Sequence, residues 1–379
     1  MRRREFCLGA AGALAAVGLG AAPRSAWAEG DRLFPVEIKN RYGYIDASGR
    51  LVVPAKFEAA GPFREGLAYV TLDKQEKQRA GFIDTRGRWA IKPVLDPCPE
   101  MFGSYEFREG LSPVAFGAKW NGMRWCDGKE GYIDREGVWR IPPNFAHAGL
   151  FFEGVAWVRK PGNDKSELID TSGRTVIPPR FKEMSAFSEG LCFARACEET
   201  GRITSDWGYI DKKGNWSIAP QFESVDGFCE GLAAVRHKGR WGYIDHKGSF
   251  VIAAGYDKAS SFAEGLAWVR KGEGYAFINK QGQVVFNLAR GLVAQNFSEG
   301  LAVAFREGPD SLPVYGFIDK EGKVVIPLQY EQAYQFEGGL ARVTLKGEPE
   351  GIGAYIDRTG HVVWKEDIGP QYYAKSKNR

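Results

Sequence analysis

Histidine is scarce in this 379-residue chain, with only four copies, and cysteine has six. His147, His237, His246 and His361 form no H-E-x-x-H pair, and no two cysteines stand as C-x-x-C, so the usual zinc frameworks are missing. No G-x-x-x-x-G-K-[ST], G-x-G-x-x-G or G-x-S-x-G segment occurs, which removes the phosphate loop, the dinucleotide turn and the nucleophile elbow. No cofactor and no metal are expected. After residue 28 nothing approaches the roughly 18 consecutive apolar residues of a transmembrane helix. Excess charge of one sign is lacking too. Of the formal +4, residues 1–28 supply +3 through Arg2, Arg3, Arg4 and Arg24 against Glu5, which leaves +1 for the rest. So nearly neutral a body is not expected to bind nucleic acid. What is present is ordinary globular composition, 44% hydrophobic and 26% charged, which excludes wholesale disorder.

The first 28 residues read as an address. A basic start, an Ala/Gly-rich apolar stretch through Ala22 and the site Ala26-Trp27-Ala28 make a signal peptide, with cleavage expected before Glu29. Arg3-Arg4-Glu5-Phe6 resembles the R-R-x-F core of twin-arginine signals. The expected location is periplasmic or secreted. The expected division is 1–28 signal, 29–371 repeat array and 372–379 basic tail.

One tract recurs nine times: Gly43-Tyr-Ile-Asp46, Gly81-Phe-Ile-Asp84, Gly131-Tyr-Ile-Asp134, Glu167-Leu-Ile-Asp170, Gly208-Tyr-Ile-Asp211, Gly242-Tyr-Ile-Asp245, Ala276-Phe-Ile-Asn279, Gly316-Phe-Ile-Asp319 and Ala354-Tyr-Ile-Asp357. Three residues after each Asp or Asn stands a glycine, from Gly49 to Gly360. Between copies lies a second tract of the form F-x-E-G-L, as at Phe63-Arg-Glu-Gly-Leu67 and Phe262-Ala-Glu-Gly-Leu266. From first tract to second the offset is 20 residues in six of eight cases; from second to next first it varies from 14 to 24. Fixed spacing implies a packed segment, and variable spacing a surface hairpin that tolerates insertion. A period of 34 to 50 residues marks an array.

Local chemistry assigns the elements. In residues 232–254, Leu232-Ala-Ala-Val leads through the turn Lys238-Gly239 into Arg240-Trp-Gly-Tyr-Ile, aromatic and β-branched, which reads as a strand. Asp245-His-Lys-Gly248 is a tight turn, in which Asp bonds its own downstream backbone and Gly accepts positive φ. Ser249-Phe-Val-Ile252 is a third strand, which in most copies ends in Pro, as at Pro54, Pro178, Pro220 and Pro327. Proline cannot donate to a ladder, so it should stop the strand or lie at an edge. Each unit is then a three-stranded antiparallel meander plus a connector with two spaced aromatics, a short strand or helical turn. One unit orders ~34 residues at a cost on the order of 50 kcal/mol. About six buried side chains at roughly 2 kcal/mol each cannot offset that. Units must therefore stabilise their neighbours.

The pattern G-L-A-x-V, W-G-Y-I-D-x-x-G and V-I-P-P-x-F, with Trp-Gly at Trp207-Gly208 and Trp241-Gly242, resembles the bacterial WG-repeat (KWG-repeat) family over residues 34–366. The resemblance implies a non-catalytic β-repeat module, often exported and read as a binding scaffold, with no known substrate. Glu167, Ala276 and Ala354 replace the glycine and put the geometry of those units in question. The expected fold is all-β, a tandem array of nine three-stranded units. First and last units look complete, which favours an open β-solenoid-like superhelix with polar ends over a β-propeller.

A catalytic reading of the recurrent Asp and Glu is rejected, since a catalytic pair is needed once and not eight times; the Glu should bond backbone N–H groups or a basic neighbour. No enzyme is expected. His246 takes a turn position that is Lys or Arg in several other copies, and is expected in solvent. The second unit has the longest offset and the longest gap, and there Trp120, Arg124 and Trp125 are candidate ligand-binding residues that could stack on a sugar or peptide. The competing reading makes the tryptophans local core of a folded-over hairpin. Cys98 and Cys126, in the same irregular region, are the candidate disulfide of an oxidising compartment. The function expected is an exported interaction scaffold whose partner is a protein or a cell-envelope polymer. The alternatives are an enzyme or ligand site on those insertions, and a structural spacer or assembly subunit.

Overall fold

The computed structural model describes residues 32–72, 79–97, 105–120, 125–126, 128–196, 206–308, 312–347 and 351–367. The expected signal peptide and basic tail lie outside them. Strands and turns make up the described chain; no helix occurs among these residues, and so none that could cross a membrane. The strands fall into nine units in the order of the sequence copies, with residues 33–57 forming unit 1 and residues 332–367 unit 9.

Unit 6 shows the plan. Ser224–Val225, Ala233–His237, Arg240–Ile244 and Phe250–Tyr256 pair in sequence as a four-stranded antiparallel meander. The connector is therefore a short leading strand in most units, such as His147–Ala148 or Lys258–Ala259, and the unit has four strands rather than three. In two places the last strand of one unit runs without a break into the leading strand of the next, at Thr175–Met184 and Val324–Ala333. Unit 1 has three strands, Phe34–Ile38, Arg41–Ile45 and Leu51–Phe57.

The last strand does not stop at its proline. Leu51–Phe57 continues through Pro54 by means of a bulge: Tyr42 pairs with Phe57 but Tyr44 with Val53. The extra residues arch over the glycine of the Trp-Gly position. A Cβ on Gly43, Gly208 or Gly242 would come within 2.6 Å of the carbonyl oxygen of Val53, Ile218 or Ile252. The bulge thus explains both motifs, because proline has no N–H to leave unpaired and glycine has no Cβ to clash. Where alanine replaces glycine the arch is gone. Ala276 and Phe277 pair with Asn287 and Phe286 in simple register, as Ala354 and Tyr355 do with Lys365 and Trp364. Unit 4 keeps its bulge around Glu167, whose buried carboxylate meets Lys160 Nζ at 2.9 Å.

Each core lies between units. Leu232, Tyr243 and Ile252 of unit 6 pack against Ala267, Val269 and Ile278 of unit 7. The Tyr243 ring sits 4.9 Å from Phe262 of the next F-x-E-G tract and its hydroxyl donates to Ser260 O at 2.8 Å. Tyr44, Tyr132 and Tyr209 repeat both contacts with their own successors.

The polar, separate ends expected of an open array are not what the chain shows. Leu340 and Tyr355 of unit 9 form a buried cluster with Phe34, Val36 and Ile45 of unit 1. Tyr355 donates to Pro35 O at 3.0 Å and lies 5.5 Å from the Phe34 ring. Lys39 N donates to Asp367 O at 2.8 Å, next to a parallel bridge between Ile38 and Asp367. The physical reason is the one that joins interior units: a unit face left bare would expose its Tyr, Leu and Val row to water.

Candidate functional site

Each meander has two kinds of ends. At one end lie the F-x-E-G turn and the Y-I-D-x-x-G turn; at the other lies the hairpin between second and third strands. At the first end the recurrent Asp and Glu carboxylates of the two tracts are engaged. Asp245 Oδ1 accepts from Lys247 N and Ser249 N, both at 2.9 Å, and Gly248 N donates to Asp245 O with φ +81°. Asn279 makes the same bonds without charge. In Asp170 the Ser172 hydroxyl, joined by Arg174 and the turn N–H groups, pulls the carboxyl down to about 2.

The glutamates tie one unit to the next. Glu65 accepts from Glu109 N and Gly110 N, Glu153 from Gly190 N, Glu189 from Gly231 N, and Glu299 from Gly338 N and Gly339 N. Glu109, Glu230 and Glu264 do likewise, so bridges run from unit 2 to unit 9. All seven sit at φ between +48° and +55°. A side chain there costs roughly 1–2 kcal/mol, which the charge-assisted bonds to the following unit offset. Lys212, Lys280 and Lys320 of the following unit also reach Glu153, Glu230 and Glu264 within 3.3 Å. Burial alone would raise Glu264, but Lys320 and Gly300 N outweigh it and hold its carboxyl below the usual range. His246 plays this part for Glu189 at 3.2 Å and stacks on Phe228, while staying exposed as its turn position suggested. The recurrent carboxylates of this end are thus taken up by internal bonds.

The hairpin end is different. Lys39-Asn40 and Lys238-Gly239 are two-residue turns at positive φ, whereas the hairpins at 73–78, 117–128, 197–206 and 308–312 are longer and unlike one another. The candidate ligand residues, read from the sequence as second-unit insertions, fall in the hairpin of unit 3 and belong here. Trp120 and Trp125 are opposed as Cα partners in a short ladder, Lys119–Trp120 against Trp125–Cys126. Arg124 lies outside the described residues. Cys98 does too, so the Cys98–Cys126 pairing is not placed. Cys192 and Cys229 are free and buried; burial pushes the Cys192 thiol up to about 12 and, with Glu189 and Asp226 nearby, Cys229 to about 11, which leaves both unreactive. No cluster of three or more His, Cys, Asp or Glu fit to hold a metal occurs among the described residues.

The family model for the WG-containing repeat matches residues 42–75, 81–120, 131–163, 168–198, 207–241, 241–275 and 315–348, more than half of the chain. The chain belongs to this family. The WG repeats matched in this way leave out Glu167, which replaces glycine in unit 4, and residues 276–314, where the bulge is lost. No curated protein matches the chain in sequence. Among solved structures it is similar to BamB from Moraxella catarrhalis, with 10% identity and a TM-score of 0.41 over 80% of this chain and 94% of that one. It is also similar to Kluyveromyces lactis Hsv2, with 7% identity and a TM-score of 0.40 over 70% of this chain and 98% of that one. Likenesses this distant carry no functional reading.

Two features of the WG repeats here escaped the sequence reading, and both sit just ahead of F-x-E-G. Asp226 stands where units 2, 4, 5 and 7 have glycine or serine, and its carboxyl is pushed up to about 6 by burial, only partly relieved by the Ser261 hydroxyl at 3.3 Å. Gln295-Asn296 and Tyr334-Gln335 are the other departure. Aligning each unit on the Phe of F-x-E-G would have exposed both.

Proposed function

We propose that this WG-repeat protein is an exported, non-catalytic scaffold that offers its hairpin end to a protein or cell-envelope polymer. One observation carries the reading: the two ends of the units are built to opposite rules. The turn end is uniform and bridged from unit to unit by glutamates. The hairpin end is free to vary in length and composition, which is where a rigid framework can carry specificity. Contact between unit 9 and unit 1 supports a further element of the proposal, a closed propeller-like ring of nine units, since Tyr355 uses Phe34 and Pro35 as Tyr243 uses Phe262 and Ser260. The ring would hold all hairpins on one side, with residues 1–28 directing export and being removed.

The test exchanges loops within the full chain. Each long hairpin, such as 197–206, is replaced by a two-residue Lys-Gly turn like that of 238–239, and co-sedimentation with envelope fragments is measured. At least one exchange is expected to abolish association with the thermal midpoint intact. Association that survives every exchange, or is lost on substituting Lys247 or Thr359 at the turn end, overturns the reading.

A further inference from the structure

The repeats supply their own control. A residue needed for the fold should recur, so an exposed departure in adjacent units calls for another cause. The two positions before the F-x-E-G phenylalanine hold small or apolar residues in four of the eight tracts, Gly61-Pro62, Gly149-Leu150, Ser185-Ala186 and Ser260-Ser261, while Tyr105-Glu106 and Asp226-Gly227 are single-unit departures in which Tyr105 is buried and Asp226 partly so. Units 8 and 9 carry Gln295-Asn296 and Tyr334-Gln335 instead, with Gln332 two residues ahead of Tyr334.

These side chains form one surface. Gln335 Nε2 donates to Asn296 O at 3.1 Å and so joins the two units. The Tyr334 hydroxyl lies 3.4 Å from Gln332 Oε1. Tyr334 is 55% exposed, an unusual setting for a large ring in this chain, and Gln295, Gln332 and Gln335 are exposed as well. Asn296 Oδ1, by contrast, is covered and has no hydrogen-bond partner. A covered acceptor without a donor is unfavourable, and a ligand donor would satisfy it. None of the five residues is charged, although 26% of the chain is.

We infer that Gln295, Asn296, Gln332, Tyr334 and Gln335 form a binding site for a neutral saccharide. Carboxamides offer donor and acceptor side by side, the pairing that sugar hydroxyls present in return. An exposed tyrosine ring can lie against the C–H face of a pyranose, and its hydroxyl remains available to bond. An anionic polymer would call for Arg or Lys in the patch, and a peptide added along a strand would call for apolar pockets at alternate positions. Neither is present among the five residues. The patch lies on the leading strands and the residues that directly follow Ala333, and not on hairpins, so it stands or falls apart from the scaffold reading.

The full chain would be run through native gels containing soluble neutral polysaccharides, a β-glucan, dextran and a galactomannan. It would also be titrated with cellohexaose, maltohexaose and the N-acetylglucosamine hexamer. Retardation by at least one polymer is expected, together with at least tenfold weaker binding of its oligosaccharide by Tyr334→Ala and by Asn296→Ala. Tyr334→Phe should keep most of the affinity, and all three variants should keep the parent thermal midpoint. Absence of retardation by every polymer, unchanged binding in the Ala variants, or binding only to an uncharged Ser/Asn-rich peptide would overturn the inference.

Discussion

The interface between units 6 and 7 and the one between units 9 and 1 follow a single contact plan with different materials. In the interior, Leu232, Tyr243 and Ile252 meet Ala267, Val269 and Ile278, with Trp241 and Tyr256 packed alongside. At the ends, Leu340 and Tyr355 meet Phe34, Val36 and Ile45 in the same roles. The aromatic of the Trp-Gly position is gone, however. Gly353 stands there, and Glu366 fills the space, accepting from Gly353 N at 3.0 Å and from Arg342 Nη2 at 2.9 Å. Arg342 itself replaces a residue that is apolar in other units, such as Trp268 or Val303. The glutamate bridge is also missing, because Gly338 occupies its position, and Glu337 binds Arg32 and Arg64 in its place. Between units 6 and 7 the Glu230 bridge to Gly265 N, with Lys280 beside it, adds to the apolar contact; between the ends that bridge is absent and the exposed pairs of Glu337 with Arg32 and Arg64 take its place. The contact between the ends is therefore predicted to be the weakest and most salt-sensitive in the molecule.

The largest expected effect tests that ranking. Tyr243→Ala removes a fully buried ring and its bond to Ser260, and should cost about 3–5 kcal/mol. Tyr355→Ala removes the corresponding ring, 7% exposed and bordered by Arg342 and Glu366, and should cost about half as much. Urea midpoints of the two variants give the comparison, and hydrogen exchange should show residues 34–38 and 352–356 opening before any interior strand. A cost for Tyr355→Ala equal to or above that for Tyr243→Ala would remove the distinction between the interfaces.

Much of this plan was legible because it repeats. Nine copies at fixed spacing located the strands, and the chemistry of Asp beside a positive-φ glycine located the turns. The role of Glu was readable as a backbone acceptor, though not its reach into the following unit. Meeting of the ends was not legible, since Phe34 and Tyr355 are 321 positions apart and unit 1 has no F-x-E-G tract to advertise its partner face. The prolines misled for a local reason: a bulge lets Pro54 remain inside a strand that would otherwise end there. Compensations such as Glu366 over Gly353 need three dimensions, because neither residue is unusual alone. Of the candidate site, the paired positions of Trp120 and Trp125 were within reach of the sequence. The amide patch was hidden because it lies just ahead of the F-x-E-G tract, and only an alignment on the phenylalanine brings Gln295-Asn296 and Tyr334-Gln335 into one column.

A second, smaller effect turns on pH and belongs to the interior interface. The folded protein raises the Asp226 carboxyl to about 6 from an ordinary value near 3.8. An acid raised on folding binds its proton more tightly in the native state, so stability falls as pH climbs from about 4 through 6 and stays reduced above. Asp226→Ser, which installs the residue found at Ser185 and Ser260, should therefore gain about 1–2 kcal/mol at pH 8 and almost nothing at pH 4. Thermal midpoints across that range decide it; a loss of stability at pH 8 would mean that the carboxylate is used and not merely tolerated. The turn aspartates act in the opposite sense. Asp46, Asp170 and Asp245 are held below their ordinary value, so their contribution is present above pH 4 and fades as pH falls toward 2.

The smallest expected change isolates the ion pairs between the ends. Glu337 is about half exposed, so its pairs with Arg32 and Arg64 are screened by water, and Glu337→Gln should cost under about 1 kcal/mol. At 1 M salt the screening length is about 3 Å, and the difference between variant and parent should vanish. The loss in Tyr243→Ala should persist at that salt, because burying a ring depends little on ionic strength. Equal salt dependence in both variants would mean that charge is not what distinguishes the ends. Dependence confined to Glu337→Gln would place the array's point of opening between Arg32 and Glu337, where the repeated glutamate bridge gives way to side-chain charge.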